Sequence, residues 1–339
     1  MDNLIVQVET FFKEVKDQKV VIVGDVMLDT YLNGTVDRIS PEAPVPVVNL
    51  KGRKNMLGGA ANVALNIKKL EAEPVVFSVI GTDKSADAII KLFEENNIST
   101  QGLIKNSNSV TTTKIRIVSN KVQLLRVDEE KTDDIPKEIE DQLISNIQEY
   151  FENNSPKAIL LQDYNKGVLT ANVIKSIGEI AAKYNVPVAV DPKKNNFLSF
   201  KNVTLFKPNL KEISEGLSVK INPDNIDSLA SAAMIIHDKL NVKNVLITLS
   251  EKGSFVSTFA ENKQTCSLHP TIARSISDVS GAGDTVISVA TLGLIASIDF
   301  KHIAVISNIA GGLVCQKPGV VPISKKELID ELHKNNKIV

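Results

Sequence analysis

The residues best placed to do chemistry form one short run, Asp278-Val279-Ser280-Gly281-Ala282-Gly283-Asp284-Thr285, immediately before a helix-forming stretch. Small residues let the backbone turn tightly and approach a ligand closely. The first helical turn then presents N–H groups and the positive end of the helix dipole, which together suit an anion. Two aspartates at such a place are unusual. A carboxylate beside an anion hole makes sense if it takes a proton from a hydroxyl attacking a bound phosphate. The alternative is a plain strand-to-helix turn with Asp284 as a helix-start residue.

Three further runs carry polar groups at helix starts or strand ends. Gly58-Gly59-Ala60-Ala61-Asn62 opens a helix; its glycines are equally a packing pair, while Asn62 offers a donor and an acceptor to a polyol. Asp25 and Asp29 follow the strand that ends at Gly24. Ligands of open α/β sheets bind outside the carboxyl ends of the strands, so both could hold sugar hydroxyls, or form an Asp-rich turn. In Asn209-Leu210-Lys211-Glu212, Asn209 reads as an N-cap and Glu212 as its capping-box partner. The same pair could gather Mg²⁺-bound water near phosphates.

Other chemistries lack their residues. There is no GxxxxGK[ST], no GxGxxG after the first strand, no HExxH and no GxSxG. The four histidines are scattered, and Cys266 and Cys315 form no CxxC. Lys and Arg total 39 against 40 Asp and Glu, a net charge of −1, which gives no basic field for nucleic acid or anionic lipid. With 43% hydrophobic and 23% charged residues, the composition is that of a globular protein. No apolar run reaches the ~18 residues of a membrane span, and the acidic start is unlike a secretory signal. A cytoplasmic globular protein is expected.

The elements that must position these residues alternate. Apolar runs at Lys19–Gly24, Val75–Ile80, Ala158–Leu161, Val186–Val190, Val203–Phe206 and Val245–Leu249 read as buried strands. Between most of them lie helical stretches at Ala60–Leu70, Ala86–Asn96, Lys137–Phe151 and Ala171–Tyr184, after an amphipathic first ~18 residues. Such alternation predicts an α/β fold with a mainly parallel sheet covered on both faces. A strand pair around Phe255 and Thr265 follows, then helices at Ala282–Ala296 and Phe300–Cys315 and a charged one from Ser324. Segments 31–57 and 110–128 break the rhythm. The second, alternating and β-branched with Ser-Asn-Lys at its turn, reads as a hairpin, so a small accessory sheet, a lid or a dimer contact, is expected.

Together these motifs resemble the ribokinase-like (PfkB) carbohydrate kinases. The shared features are a glycine pair before an asparagine (Gly58, Gly59, Asn62), an Asn-x-x-Glu (Asn209, Glu212), and Asp-Thr-x-Gly-Ala-Gly-Asp at Asp278–Asp284 with Val279 in the Thr position. Within the family the chain looks most like the D-glycero-β-D-manno-heptose 7-phosphate kinases. The run Asp37-Arg38-Ile39-Ser40-Pro41-Glu42-Ala43-Pro44-Val45-Pro46-Val47-Val48 carries that closer match, supported by Asp163-Tyr164-Asn165-Lys166-Gly167 and Asp191-Pro192-Lys193.

The resemblance implies a ribokinase-like kinase domain over 1–339, with Asp284 as the base and the N–H groups of Gly281, Ala282 and Gly283 as the anion site. It implies ATP as co-substrate on Asn209, Leu210, Lys211 and Glu212, with Mg²⁺ organised by Asn209 and Glu212 through water, and it leaves room for a monovalent cation. Val245–Leu249, the turn Ser250–Gly253 and Asn308 become the adenine-side wall. Asp25, Asp29, Gly58, Gly59 and Asn62 become the sugar side. Charge and position assign the 7-phosphate to Lys193, with Arg38 and Arg53 next. Many relatives are fused to a nucleotidyltransferase; no second α/β domain follows the terminal helix here, so a stand-alone kinase, a homodimer by family habit, with a separate nucleotidyltransferase acting downstream is expected. The alternatives are a kinase of another sugar, such as fructose 1-phosphate or a nucleoside, and a non-catalytic sugar-phosphate sensor.

Overall fold

The computed structural model of the chain describes residues 4–120, 122–272 and 275–335. Lys121 at the hairpin tip, the first three residues of the expected N-terminal helix and the last four of the chain lie outside them. From the N-terminus the chain runs α1 (Leu4–Val15), β1 (Lys19–Gly24), β2 (Val26–Ile39), β3 (Pro46–Gly59), α2 (Ala60–Lys69), β4 (Glu73–Ile80), α3 (Lys84–Glu95) and β5 (Leu103–Lys105). It continues through β6 (Thr113–Ser119), β7 (Val122–Glu129), α4 (Lys137–Asn153), β8 (Ala158–Gln162), α5 (Ala171–Tyr184), β9 (Val188–Asp191) and β10 (Leu205–Phe206). The last part holds α6 (Leu210–Leu217), α7 (Ile226–Leu240), β11 (Asn244–Thr248), β12 (Ser254–Ala260), β13 (Lys263–His269), α8 (Ala282–Ile295), α9 (Phe300–Val314) and α10 (Lys325–Asn335).

Among the described residues a nine-stranded sheet has the order β13-β12-β11-β10-β9-β8-β1-β4-β5. It is parallel from β11 to β5, and β12 and β13 add antiparallel strands at one edge. Strand β1 shows why its apolar run is continuous. Val20 and Ile22 pack into the core under α1, α2 and α8, while Val21 and Val23 pack into the opposite core under α4, α5 and α7. Burying each such side chain contributes about 1.5–3 kcal/mol, so a strand covered on both faces tolerates no polar alternation. Gly24, at the end of β1, lies so close to β8 that a Cβ there would sit 2.0 Å from the Gln162 carbonyl oxygen. The glycine brings two strand ends, and the residues that follow them, together.

The accessory sheet is present, with order β3-β2-β6-β7. Its boundary differs from the expectation. Strand β2 begins at Val26, one residue after β1 ends, and β3 runs to Gly59. The accessory sheet is therefore a direct continuation of the central strand, and Asp29, Gly58 and Gly59 belong to its root. Proline and turn residues had marked only its outer end.

Candidate active site

Gly281 caps α8 with φ 80°, in the left-handed region where glycine carries no steric penalty. Its cramped setting allows nothing larger: a Cβ would meet the Asn62 amide nitrogen at 2.9 Å and Val320 at 3.1 Å. Asp278 shapes the turn, accepting hydrogen bonds from the N–H groups of Ser280 (2.9 Å) and Gly319 (3.0 Å). Of the three N–H groups assigned to the anion site, that of Ala282 turns back to the Val279 carbonyl at 3.3 Å. A Cβ on Gly283 would fit without collision, in ordinary contact with Lys207 Nζ at 3.7 Å and Asp191 Oδ2 at 3.9 Å.

Asp284, in the first turn of α8, is 3% exposed. Its Oδ2 accepts from Asn62 Nδ2 at 2.8 Å, and its Oδ1 accepts from the Tyr164 hydroxyl at 2.8 Å and Gln162 Nε2 at 3.1 Å. Burial lifts the carboxyl from 3.8 to about 6; the Asn62 and Tyr164 donors oppose the rise and the charge of Asp191 adds to it. A base so tuned is ionised at neutral pH and still able to hold a proton. Asn62 spends its donor on this carboxylate, and its Oδ1 accepts from Asn66 at 3.3 Å. It thus orients the base, where a polyol contact was expected.

On the sugar side the two aspartates separate. Asp29 pairs with Arg116 of β6, whose guanidinium lies over the Tyr31 ring at 5.3 Å. A Cβ on Gly58 would collide with Asp29 Oδ2, so the glycine leaves room for that carboxylate beside Asn62. Burial raises the Asp29 carboxyl, and Arg116 counters it. Asp25 corrects the expectation. Its oxygens take the backbone N–H groups of Tyr164 (2.8 Å), Lys166 (3.1 Å) and Val168 (3.2 Å), so it clamps the loop that carries Tyr164 and its acceptors are engaged. Arg38 is also corrected: it is exposed, nine residues beyond Asp29 on β2, about 30 Å farther at strand rise.

On the other side, Asn209 and Glu212 form the expected capping box. Asn209 Oδ1 accepts from Glu212 N, and Glu212 Oε2 from Asn209 N, both at 2.8 Å. Glu212 Oε1 pairs with Lys193, which also lies 3.7 Å from Asp191 Oδ1. Lys193 is thus held by Glu212 and Asp191, with its ammonium 5.2 Å from the centre of the Tyr164 ring. Two carboxylates neutralise it on the Glu212 side and hold its ammonium more firmly protonated than usual. Leu210 packs into the core and Lys211 points to solvent, 3.8 Å from Glu215, so neither faces the site. The oxygens of Asn209 and Glu212 suit a hard cation. With Glu212 engaged on both oxygens, and Asp191 Oδ1 buried without a hydrogen-bond partner, they fit Mg²⁺ held through ordered water better than direct ligation. Asn209 also bridges to Thr248 at the end of β11. Beyond it, Gly253 abuts the His269 carbonyl and Asn308 donates to that oxygen at 2.9 Å. The expected adenine-side residues are thereby grouped. Ser250 belongs to the same turn and has φ 54°.

Sequence reasoning gave no role to Gln162, Lys207, Arg116 or Tyr164. Gln162 bridges Asp284 and Asp191, and Lys207 pairs with Asp191 at 3.1 Å while both are buried. One signal was available: Gln162 and Lys207 are the polar residues that end or follow otherwise apolar strands, where a sheet of this kind binds its ligands. Arg116 gave none, because an alternating lid strand presents many cations.

A buried carboxylate beside a glycine turn, with Asp29 and Arg116 on one side and the Asn209–Glu212 cap on the other, is an arrangement that suits a sugar phosphotransferase. The chain belongs to the pfkB family of carbohydrate kinases, whose family model matches residues 17–327. It is 39% identical over 324 residues to the "Bifunctional protein HldE" of Aliarcobacter butzleri, covering 95% of this chain and 66% of that protein. The protein of the same name from Trichlorobacter lovleyi is 37% identical over 322 residues, covering 95% and 64%. The chain thus spans about two thirds of the length of these relatives. Its fold is that of Arabidopsis thaliana ribokinase complexed with ribose and ATP (TM-score 0.71, 18% identity, 93% of this chain and 98% of that one). It is equally that of Escherichia coli phosphofructokinase-2 in complex with fructose-6-phosphate (TM-score 0.76, 17% identity, 94% and 98%).

Proposed function

We propose that the chain transfers the γ-phosphoryl group of ATP to the anomeric hydroxyl of D-glycero-D-manno-heptose 7-phosphate, giving the 1,7-bisphosphate for ADP-heptose and lipopolysaccharide core precursor synthesis in the cytoplasm. The observation that carries the reaction type is the buried Asp284, oriented by Asn62, Gln162 and Tyr164 one residue after Gly283. Two features support the heptose: the Asp37–Val48 run at the lid and relatives bearing the name HldE.

Asp29, freed by Gly58 to enter the cleft, accepts sugar hydroxyls and presents the anomeric oxygen to Asp284. That oxygen attacks the γ-phosphorus, the bond to the β-phosphate oxygen breaks, ADP leaves, and Asp284 takes the hydroxyl proton. Phosphoryl transfer asks the protein mainly for positioning and charge stabilisation. The N–H groups of Gly281 and Gly283 stabilise charge on the transferring group, with Lys207 and Lys193 paired to Asp191 beside them. Asn209 and Glu212 would hold Mg²⁺ through water, and the ion would neutralise charge on the nucleotide phosphates.

The test is ADP release with Mg·ATP and the heptose 7-phosphate, fructose 1-phosphate, ribose or adenosine. Turnover confined to the heptose phosphate is expected; turnover of another sugar alone would keep the mechanism and overturn the substrate. Binding of the heptose phosphate without any turnover would favour a sensor.

The lid sheet also supports a homodimer. Val122, Leu124, Leu125 and Val127 of β7 are 41–61% exposed, and an apolar edge strand left bare invites pairing. Light scattering behind a sizing column should give twice the chain mass; a monomer at micromolar concentration would refute it.

A further inference from the structure

With Lys193 and Lys207 already paired with Asp191 and Glu212, an acceptor that already carries a phosphate needs another cationic subsite. Strand register identifies one. In the lid, Asp29 lies opposite Lys114 and Met56, Tyr31 opposite Arg116 and Lys54, Lys114 opposite Asp128, and Arg116 opposite Arg126. These residues therefore share one face. That face looks into the cleft, because a Cβ on Gly319, next to the Asp278 turn, would meet Met56 Sδ at 3.3 Å and the Tyr31 ring at 3.6 Å. Lys166 reaches the cluster from the loop clamped by Asp25 and pairs with Glu130 at 2.7 Å.

The face carries an ion lattice. Arg126 bonds Asp128 at 2.8 Å, Arg116 bonds Asp29, and Lys114 divides itself between Asp128 (3.3 Å) and Glu130 (3.4 Å). Five cations (Lys54, Lys114, Arg116, Arg126, Lys166) face four carboxylates (Asp29, Asp128, Glu130 and, beside Arg116, Asp278), an excess of one positive charge. A phosphate monoester carries about −2 at neutral pH. Lys114 is sheltered, with 15% of its side chain exposed, and its two bonds are long against the ~2.7–2.9 Å of a good charge-assisted pair. It is poised to exchange partners.

Asn62 holds Asp284, Gly58 four residues before it abuts Asp29, and Lys114 lies opposite Asp29 on the neighbouring strand. A sugar whose reacting hydroxyl meets Asp284 would place a far-end substituent on the lattice.

We propose that Lys114 and Arg126, supported by Arg116 and Lys166, form the subsite for the phosphate already present on the acceptor sugar. The inference rests on the phosphorylated-sugar reading of the same site. Steady-state kinetics on the heptose 7-phosphate, fructose 1-phosphate and fructose 6-phosphate, each beside its unphosphorylated sugar, test it in the wild type and in Lys114→Met, Arg126→Met and Lys114→Arg. Losing a charged hydrogen bond to the phosphate should raise KM for the phosphorylated substrate roughly ten- to a hundred-fold. In the same variants kcat should stay within about three-fold, and Lys114→Arg should restore most of the affinity.

The proposal is overturned if Lys114→Met lowers kcat and leaves KM alone, if it weakens a sugar and its phosphate equally, or if the wild type shows no preference for phosphorylated sugars. If a fructose phosphate is the substrate and Lys114→Met still raises its KM, the heptose reading fails and the subsite stands.

Discussion

Asp284→Asn is expected to lower kcat by roughly 10²–10⁴-fold or more, with ATP binding retained, because the amide keeps the size of the side chain and cannot take the proton. The wild-type pH profile should show the same group. The base works ionised, so kcat/KM, which reports the free enzyme, should be level above about pH 6 and fall tenfold per unit below it, following a carboxyl that burial holds at about 6. Tyr164→Phe gives an internal check. The Tyr164 hydroxyl donates to Asp284 Oδ1 and pulls that carboxyl down, so its loss should move the acid limb to higher pH. Initial rates of ADP release across pH decide the matter. A profile flat through pH 6, or an Asp284→Asn variant within ten-fold of wild type, would remove Asp284 from the base role.

Lys207→Met should produce the largest loss of stability. Lys207 and Asp191 are each no more than 3% exposed and meet at 3.1 Å. The remaining partners of Asp191 are Gln162 at 3.2 Å and the more distant Lys193. Removing one partner of a buried pair leaves a charge without compensation and costs about 3–5 kcal/mol, although the intact pair adds little net stability. For a chain of this length that corresponds to a fall in Tm of about 4–7 °C. Lys207→Met combined with Asp191→Asn removes both charges and should recover at least half of the loss. Calorimetry of the two variants is the measurement. An unchanged Tm in Lys207→Met, or a double variant less stable than the single by the full sum, would contradict it.

The order of core strands and helices was legible because the central sheet is buried on both faces. A strand such as Val20–Val23 has no solvent side to carry polar residues, and its boundaries are glycine and charge. Asp284 and its glycine turn stood out as a candidate site for a related reason: a run of small residues before an apolar helix has few purposes. The pairings were not. Asp25 and Asp29 look alike in sequence, and only the third dimension turns one toward backbone N–H groups and the other toward Arg116. Lys193 stands at a strand end as expected of a ligand residue, yet the carboxylates it meets come from Asp191 and, across α6, from Glu212. The start of the lid was misplaced because β2 takes over from β1 within one residue, without the turn residues by which strand ends are recognised.

The hydrogen bonds that hold Asp284 reach back 222 residues to Asn62 and 120 to Tyr164. Chains emerge from the ribosome N-terminus first. The lid, the central strand and the loop bearing Tyr164 are therefore complete while the base and the helix that carries it are still unmade. An unfinished chain can assemble its acceptor side early and has no carboxylate with which to activate a hydroxyl, or water in its place. The potential to spend ATP arrives last, when the cleft is already enclosed by the parts that decide what enters it.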